Sequence, residues 1–291
     1  MSITIGIGLA FVAMLSWGVG DFWMQRSIRK VGNFETLFFI AAFGALVTFP
    51  FVYKNLPIFF ASSWQTFAVV FGLCLILLFA SIIDFEALRI GKLSVVEPVW
   101  SFEVPVSAIL AFFILSEQIQ WFQIVLIASL LVGLGLVSVS KRLRIKDLLF
   151  ERGVFVALLG ATLMGTANFF MGWGSRVTDP LMANFLVNIF ITFCVVLVLL
   201  AKGTFRNLKK ALKSNSAVLL QTSISDNVAW IAFAFAMSLA PIAIVTALSE
   251  SYIIVAVLLG VFINKEKLAR HQKFGLVLAL FSALVLAGST V

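Results

Sequence analysis

Along this chain, long apolar runs alternate with short polar connections, and ten runs stand out. They are Thr4–Met24, Glu35–Tyr53, Gln65–Glu86, Leu93–Leu115, Ile119–Val139, Gly153–Gly174, Leu181–Ala201, Ala217–Met237, Ile242–Ile263 and Phe274–Val291. A helix rises about 1.5 Å per residue, so each run can cross a hydrocarbon core about 30 Å thick. The pattern predicts an all-α integral membrane protein with ten transmembrane helices. Two connections are longer than the rest, Lys141–Arg152 at the midpoint and Lys202–Ser216. The first is the expected boundary: residues 1–140, a basic linker 141–152, then residues 153–291. That linker has the composition of a short amphipathic segment on the membrane surface.

An internal repeat supports this division. Gly18-Val19-Gly20-Asp21-Phe22-Trp23-Met24 parallels Gly165-Thr166-Ala167-Asn168-Phe169-Phe170-Met171, at an offset of 147. Farther on the offset is 149, matching Ala87 to Ala236, Val95-Val96 to Ile244-Val245, Glu117 to Glu266 and Gln123 to Gln272. Two five-helix halves follow. An odd number of crossings per half forces the second half to lie inverted relative to the first. Secondary transporters are often built this way, with their sites at the repeat interface near the midplane.

The run Leu93–Leu115 is unusual, because it carries Glu97, Pro98, Glu103 and Pro105. A carboxylate at the bilayer centre costs at least about 2.5–3.5 kcal/mol on insertion scales. Proline removes a backbone donor that lipid cannot replace. Such a helix belongs inside a bundle, beside a polar cavity. The two prolines are expected to free the carbonyls of Ser94 and Ser101 for ligand, water or serine hydroxyls.

The motif Ala87-Leu88-Arg89, Leu93-Ser94, Glu97-Pro98, then Glu117 and a glycine-containing closing helix, resembles the EamA-type repeat of the drug/metabolite transporter superfamily. The second copy, Ala236-Met237-Ser238, Ile242 and Glu266, resembles it more weakly and has Ala247 in place of Pro98. The resemblance covers nearly the whole chain. It implies ten helices, a central cavity, solute movement by alternating access and no fixed catalytic residues.

Other polar positions supply candidate lining. Glu97, Trp100 and Glu103 lie at i, i+3 and i+6, a sector about 120° wide on one helix face. The repeat puts Thr246, Ser249 and Tyr252 at the matching positions, and Glu250 opposite Ser101. The eighth run adds Ser223, Asp226, Asn227 and Trp230; the first adds Trp17 and Asp21; the sixth answers with Asn168. The candidate substrate- or ion-binding set is therefore Glu97, Trp100, Glu103, Glu250, Tyr252, Asp226, Asn227, Trp230, Asp21 and Asn168. Asp84 is a further acid within a run, and Glu86 is expected to pair with Arg89 at a helix end. Asn184, Asn188 and Thr192, four residues apart, suit either the cavity or a helix–helix hydrogen-bond seam. Gly18, Gly20, Gly133 and Gly135 are expected to allow close helix packing. No Lys or Arg lies in the middle of a run. The buried acids must be protonated at rest, face water or be neutralised by a cationic ligand.

Composition narrows the function. Of the 291 residues 62% are hydrophobic and only 12% charged, about half the charge of a soluble domain. The net charge of +8 does not mark a nucleic-acid binder, because nearly all the basic residues flank apolar runs. Cys74 and Cys194 sit inside runs and read as packing residues. There is one histidine, His271, and no Walker A loop, dinucleotide fingerprint or nucleophile motif. No cofactor or metal is expected, nor is an enzyme. No basic n-region or cleavage site opens the sequence, so no removable signal is expected.

The leading expectation is a multi-pass secondary transporter of the cell (cytoplasmic or inner) membrane, monomeric or homodimeric. It would move a small metabolite, amino acid, amine or drug-like solute, with proton coupling left open. Excess carboxylate beside Trp100, Trp230 and Tyr252 favours an ammonium group through ion pairing and cation–π contact. A lipid-modifying membrane enzyme and a non-transporting scaffold or sensor are the alternatives. Orientation divides the two lines of reasoning. If the ten runs all cross, 19 basic residues fall on one face and 2, Lys54 and Arg176, on the face of the termini. Basic loops stay in the cytoplasm, which puts the termini outside, whereas the resemblance implies termini inside.

Overall fold

The computed structural model describes residues 2–90, 99–138, 152–262 and 268–290. Glu97, Pro98, Ser94, Glu266 and linker residues 141–151 lie outside that set. The described residues are built from helices: α1 Ser2–Val31, α2 Asn33–Val52, α3 Leu56–Phe60, α4 Trp64–Ile90, α5 Glu103–Leu115, α6 Trp121–Ser138, α7 Arg152–Val177, α8 Pro180–Ala201, α9 Asn207–Leu239, α10 Ile242–Ser249, α11 Tyr252–Phe262 and α12 Arg270–Thr290. Eight of them, α1, α2, α4, α6, α7, α8, α9 and α12, are long and apolar enough to cross a membrane, and α5 and the stretch Ile242–Val255 are shorter apolar helices. Large apolar side chains such as Leu46, Phe113, Phe155 and Val277 stand exposed on the outside. Helices that are apolar on every side suit a lipid surround, and the protein is an integral membrane protein.

The two shorter helices mark a departure from the predicted spans. Instead of one continuous helix over Leu93–Leu115, a turn at Ser101-Phe102 precedes α5. Likewise Ile242–Ile263 is interrupted by a turn at Glu250-Ser251. The two breaks are 149 residues apart, the repeat offset. Pro105 falls in the first turn of α5, where its missing N–H costs little. The carbonyl of Ser101 is not free as predicted, since it accepts the Val104 N–H at 3.3 Å. No proline breaks the second copy. There the hydroxyls of Thr246 and Ser251 donate back to the carbonyls of Ile242 and Ala247, each at 2.8 Å, the local competition that loosens a helix.

Other helices outrun their apolar cores. α1 continues to Val31 and carries Arg29 and Lys30 in its last turn, where the helix dipole favours cations. Much of the predicted loop Lys202–Ser216 is helical, because Asn207 onward joins α9 across a kink at Asn215 (φ −135°, ψ 23°).

Helix pairing exchanges the two halves. α1 packs on α9 as α4 packs on α7, α2 pairs with α8, and α6 pairs with α12. α5 lies on α7 as α10 and α11 lie on α1. Each half therefore packs chiefly against the other, and the space between them is central. Gly133 and Gly275 set the α6–α12 approach: a Cβ on Gly133 would meet the Ala279 nitrogen at 2.7 Å, and one on Gly275 the Gly133 carbonyl at 2.7 Å. Gly18 and Gly20 are tight against Val255 and Ser225, as predicted, but a Cβ on Gly135 would meet nothing within 4 Å.

Candidate functional site

A cavity of about 120 Å³ lies where the halves meet. α1 contributes Trp17, Asp21 and Met24; α2 Leu37 and Ile40; α4 Ser81, Asp84 and Phe85. The first helical break contributes Trp100 and Glu103, α7 Met164 and Asn168, α9 Asp226 and Trp230, and the second break Glu250 and Tyr252. Eight of the ten predicted residues thus share one space. Glu97 lies outside the described residues. Asn227 points elsewhere: its amide donates to the carbonyls of Ile40 at 3.0 Å and Ser223 at 2.9 Å, and its oxygen accepts from Asn188 at 3.3 Å.

The breaks explain how carboxylates reach the interior. Glu103 is the first residue of α5 and Glu250 follows the last residue of α10, so each sits at a helix end inside the bundle. Glu103 is 5% exposed and accepts a 3.0 Å bond from the Asn168 amide. The α7 backbone comes so close here that a Cβ on Gly165 would meet the Glu103 carbonyl at 2.6 Å. Asp21, Asp84, Glu103 and Glu250 lie near enough to one another to interact electrostatically. Asp226 has a different neighbour, the Trp17 side chain. Trp17, Trp230 and Phe233 stack edge-on, with centroids 5.1–5.8 Å apart, a favourable geometry for aromatic rings.

Asp84 is the residue that the candidate set missed. It is 7% exposed, and its Oδ1 is buried without a hydrogen-bond partner, as is the indole nitrogen of Trp100. These two atoms give the cavity an unmet acceptor and an unmet donor. The signal was present in Ser81 and Asp84, three apart on one face. Glu86 and Arg89 follow within five residues. That second pair is as predicted, with Arg89 donating to Glu86 at 2.8 and 2.5 Å.

Two polar stripes serve packing. Asn184 donates to Pro180 and Trp230 carbonyls, Asn188 to Asn227, and Thr192 to the Asn188 carbonyl; this stripe of α8 is a helix–helix seam. Thr246 bonds its own helix, and Ser249 donates to the Ala10 carbonyl at 3.3 Å. Of the second-copy stripe only Tyr252 lines the cavity.

A family model for EamA-like transporters matches the chain twice, over residues 4–139 and 151–288. The chain belongs to the EamA-like transporter family. Members of that family are membrane transporters, which accounts for a polar cavity enclosed by lipid-facing helices. No curated protein matches this EamA-like chain. Among solved structures, a crystal structure described only as that of a protein resembles it with a TM-score of 0.74, covering 98% of this chain and 97% of its own at 14% identity. At that identity the likeness shows the fold alone.

Proposed function

We propose that the chain is a secondary active transporter that moves a small ammonium-bearing solute by alternating access through this cavity. The observation that carries the reading is the lining: five carboxylates, three tryptophans and a tyrosine, with no Lys, Arg or His among the described lining residues. Buried carboxylates with no cation among the described lining residues are costly. An organic ammonium or a proton can neutralise them, and indole faces add cation–π attraction. A sugar phosphate or other polyanion would meet like charge. The four mutually interacting acids suit exchange of a proton for the solute, because one site cannot cheaply hold all of them ionised.

We read the architecture as ten crossings in two inverted five-helix halves, residues 1–140 and 153–291. The ninth crossing is made of two pieces that break at the cavity, and α5 of the fourth begins at the matching place. Exchange-symmetric pairing favours this reading, since rocking one half against the other would present the same cavity to either face. The cell membrane is the proposed location, with the termini outside by the basic-residue asymmetry. In a Cys74→Ala, Cys194→Ala background, Ser2→Cys should react with an impermeant maleimide on intact cells, and Ser214→Cys only after permeabilisation. The functional test is uptake into proteoliposomes from a panel of ammonium, zwitterionic and anionic solutes. Accumulation of ammonium solutes is expected; accumulation confined to anions would overturn the reading.

A further inference from the structure

Outside the cavity one partly exposed charge cluster ties four elements together. Arg176, in the last turn of α7, pairs its Nη1 with Glu117 Oε1 at 2.6 Å. Its Nε donates to the Met237 carbonyl at 2.9 Å, and its Nη2 to the Ala240 carbonyl at 3.0 Å. The other Glu117 oxygen, Oε2, accepts the Ile242 N–H at 2.9 Å. One guanidinium thus closes the C-terminal end of α9, one carboxylate closes the N-terminal end of α10, and the two ends are joined by the ion pair. Both charges have the sign that the helix dipoles favour. Glu117 is aimed by Ser116, whose φ of 55° ends α5 in a left-handed turn.

The cluster lies on the face of the chain termini. Gln123, at the start of α6, donates to Thr290 near the end of α12 at 3.5 Å. A Cβ on Gly6 in α1 would meet the Ala240 side chain at 3.2 Å. Three of the cluster's elements lead inward to cavity residues. α5 starts at Glu103 and ends beside Glu117. α10 starts at Ile242 and ends beside Glu250, and all eight of its residues are buried. On α7, Asn168, which holds Glu103, precedes Arg176 by about two turns, or about 12 Å. The pair joins the two halves: Glu117 belongs to the first family match and the other members to the second.

We infer that Glu117 and Arg176 are the gate residues of the terminal face. The structure is the conformation closed on that face, and α5, α7 and α10 transmit its opening to the cavity acids. The inference rests on the transporter reading. A clasp within one half would be untouched when the halves rock apart. This pair bridges the halves, and its side chains keep 29% (Arg176) and 13% (Glu117) exposure, so water can take over the charges when they separate.

The test needs no known solute. In the cysteine-free background, Ser81→Cys reports the cavity to an impermeant maleimide in sealed vesicles, and Ser2→Cys in parallel vesicles reports how many expose the terminal face. Glu117→Gln and Arg176→Gln should each speed labelling of the reporter from that face by about tenfold, as loss of a charge-assisted bond allows. Arg176→Lys keeps the charge, loses the fork and spares the fold, so its rate should be intermediate. Glu86→Gln, on the other ion pair, should label as wild type. Folded Glu117→Gln and Arg176→Lys proteins labelling at the wild-type rate would overturn the gate and leave a static cap. Faster labelling in a protein that takes up no solute would uphold the gate and defeat the transporter reading.

Discussion

Glu103 and Glu117 stand at opposite ends of α5, yet their surroundings differ in kind. Glu117 has an arginine, a backbone N–H and a defined geometry for both oxygens. Glu103 has one neutral amide and three other acids within electrostatic reach. The first arrangement satisfies a charge; the second leaves one in want of a partner. In a membrane interior, where an unmet charge is costly, the unsatisfied carboxylate is the one that a solute or proton can use. Residue type alone would not separate them, and the identity of their neighbours does.

The contrast predicts a ranking of variants. Glu103→Gln and Glu250→Gln, which keep the side-chain volume, should each cut uptake at least about tenfold, or ~1.4 kcal/mol of transition-state stabilisation, while insertion and thermal stability stay near wild type. Retained uptake in both, measured as initial rates in proteoliposomes, would erase the distinction. Gly165→Ala comes next. Its new Cβ would press on the Glu103 carbonyl and on Val106, so it should cost about 1–3 kcal/mol of stability and also slow uptake severalfold. Gly133→Ala, equally tight but at the α6–α12 contact, should lower the melting temperature and leave the relative uptake of different solutes unchanged. If both glycine variants lower stability alone, the cavity is less dependent on the α5–α7 contact than its geometry suggests. The smallest effect belongs to Glu86→Gln. Its pair with Arg89 is solvent-accessible, and such pairs contribute about 0–1 kcal/mol, so a thermal melt should barely move.

How much of this was legible in the sequence depends on what carried the signal. Glu103, Glu250 and Asp226 were legible because an acid inside an apolar run needs a reason. The first break was signalled by Pro105, though its position is the turn before α5 and not a mid-helix kink. The second was hidden, since Thr246 and Ser251 loosen the helix through hydroxyl bonds that no spacing rule announces. Asn227 lines an adjoining pocket with Asp226 and Trp230 for a geometric reason: consecutive helical residues project about 100° apart, so with Asp226 in the cavity Asn227 turns toward α8. Arg176 read as one of two basic residues on a nearly uncharged face. Its partner comes from the other half of the chain, and nothing local to residue 176 points there. The identity of the solute depends on a lining drawn from both halves, which no local pattern carries.

The most direct measurement of the central claim is uptake of an organic ammonium solute into proteoliposomes with and without an imposed pH gradient, comparing wild type with the Glu103→Gln, Glu250→Gln double variant. Wild type should accumulate the solute above equilibrium only when protons can flow in exchange, with rates that change over about pH 5–8, and the double variant should do neither. Wild-type accumulation by the double variant, with the same pH dependence, would contradict the assignment of these carboxylates to transport.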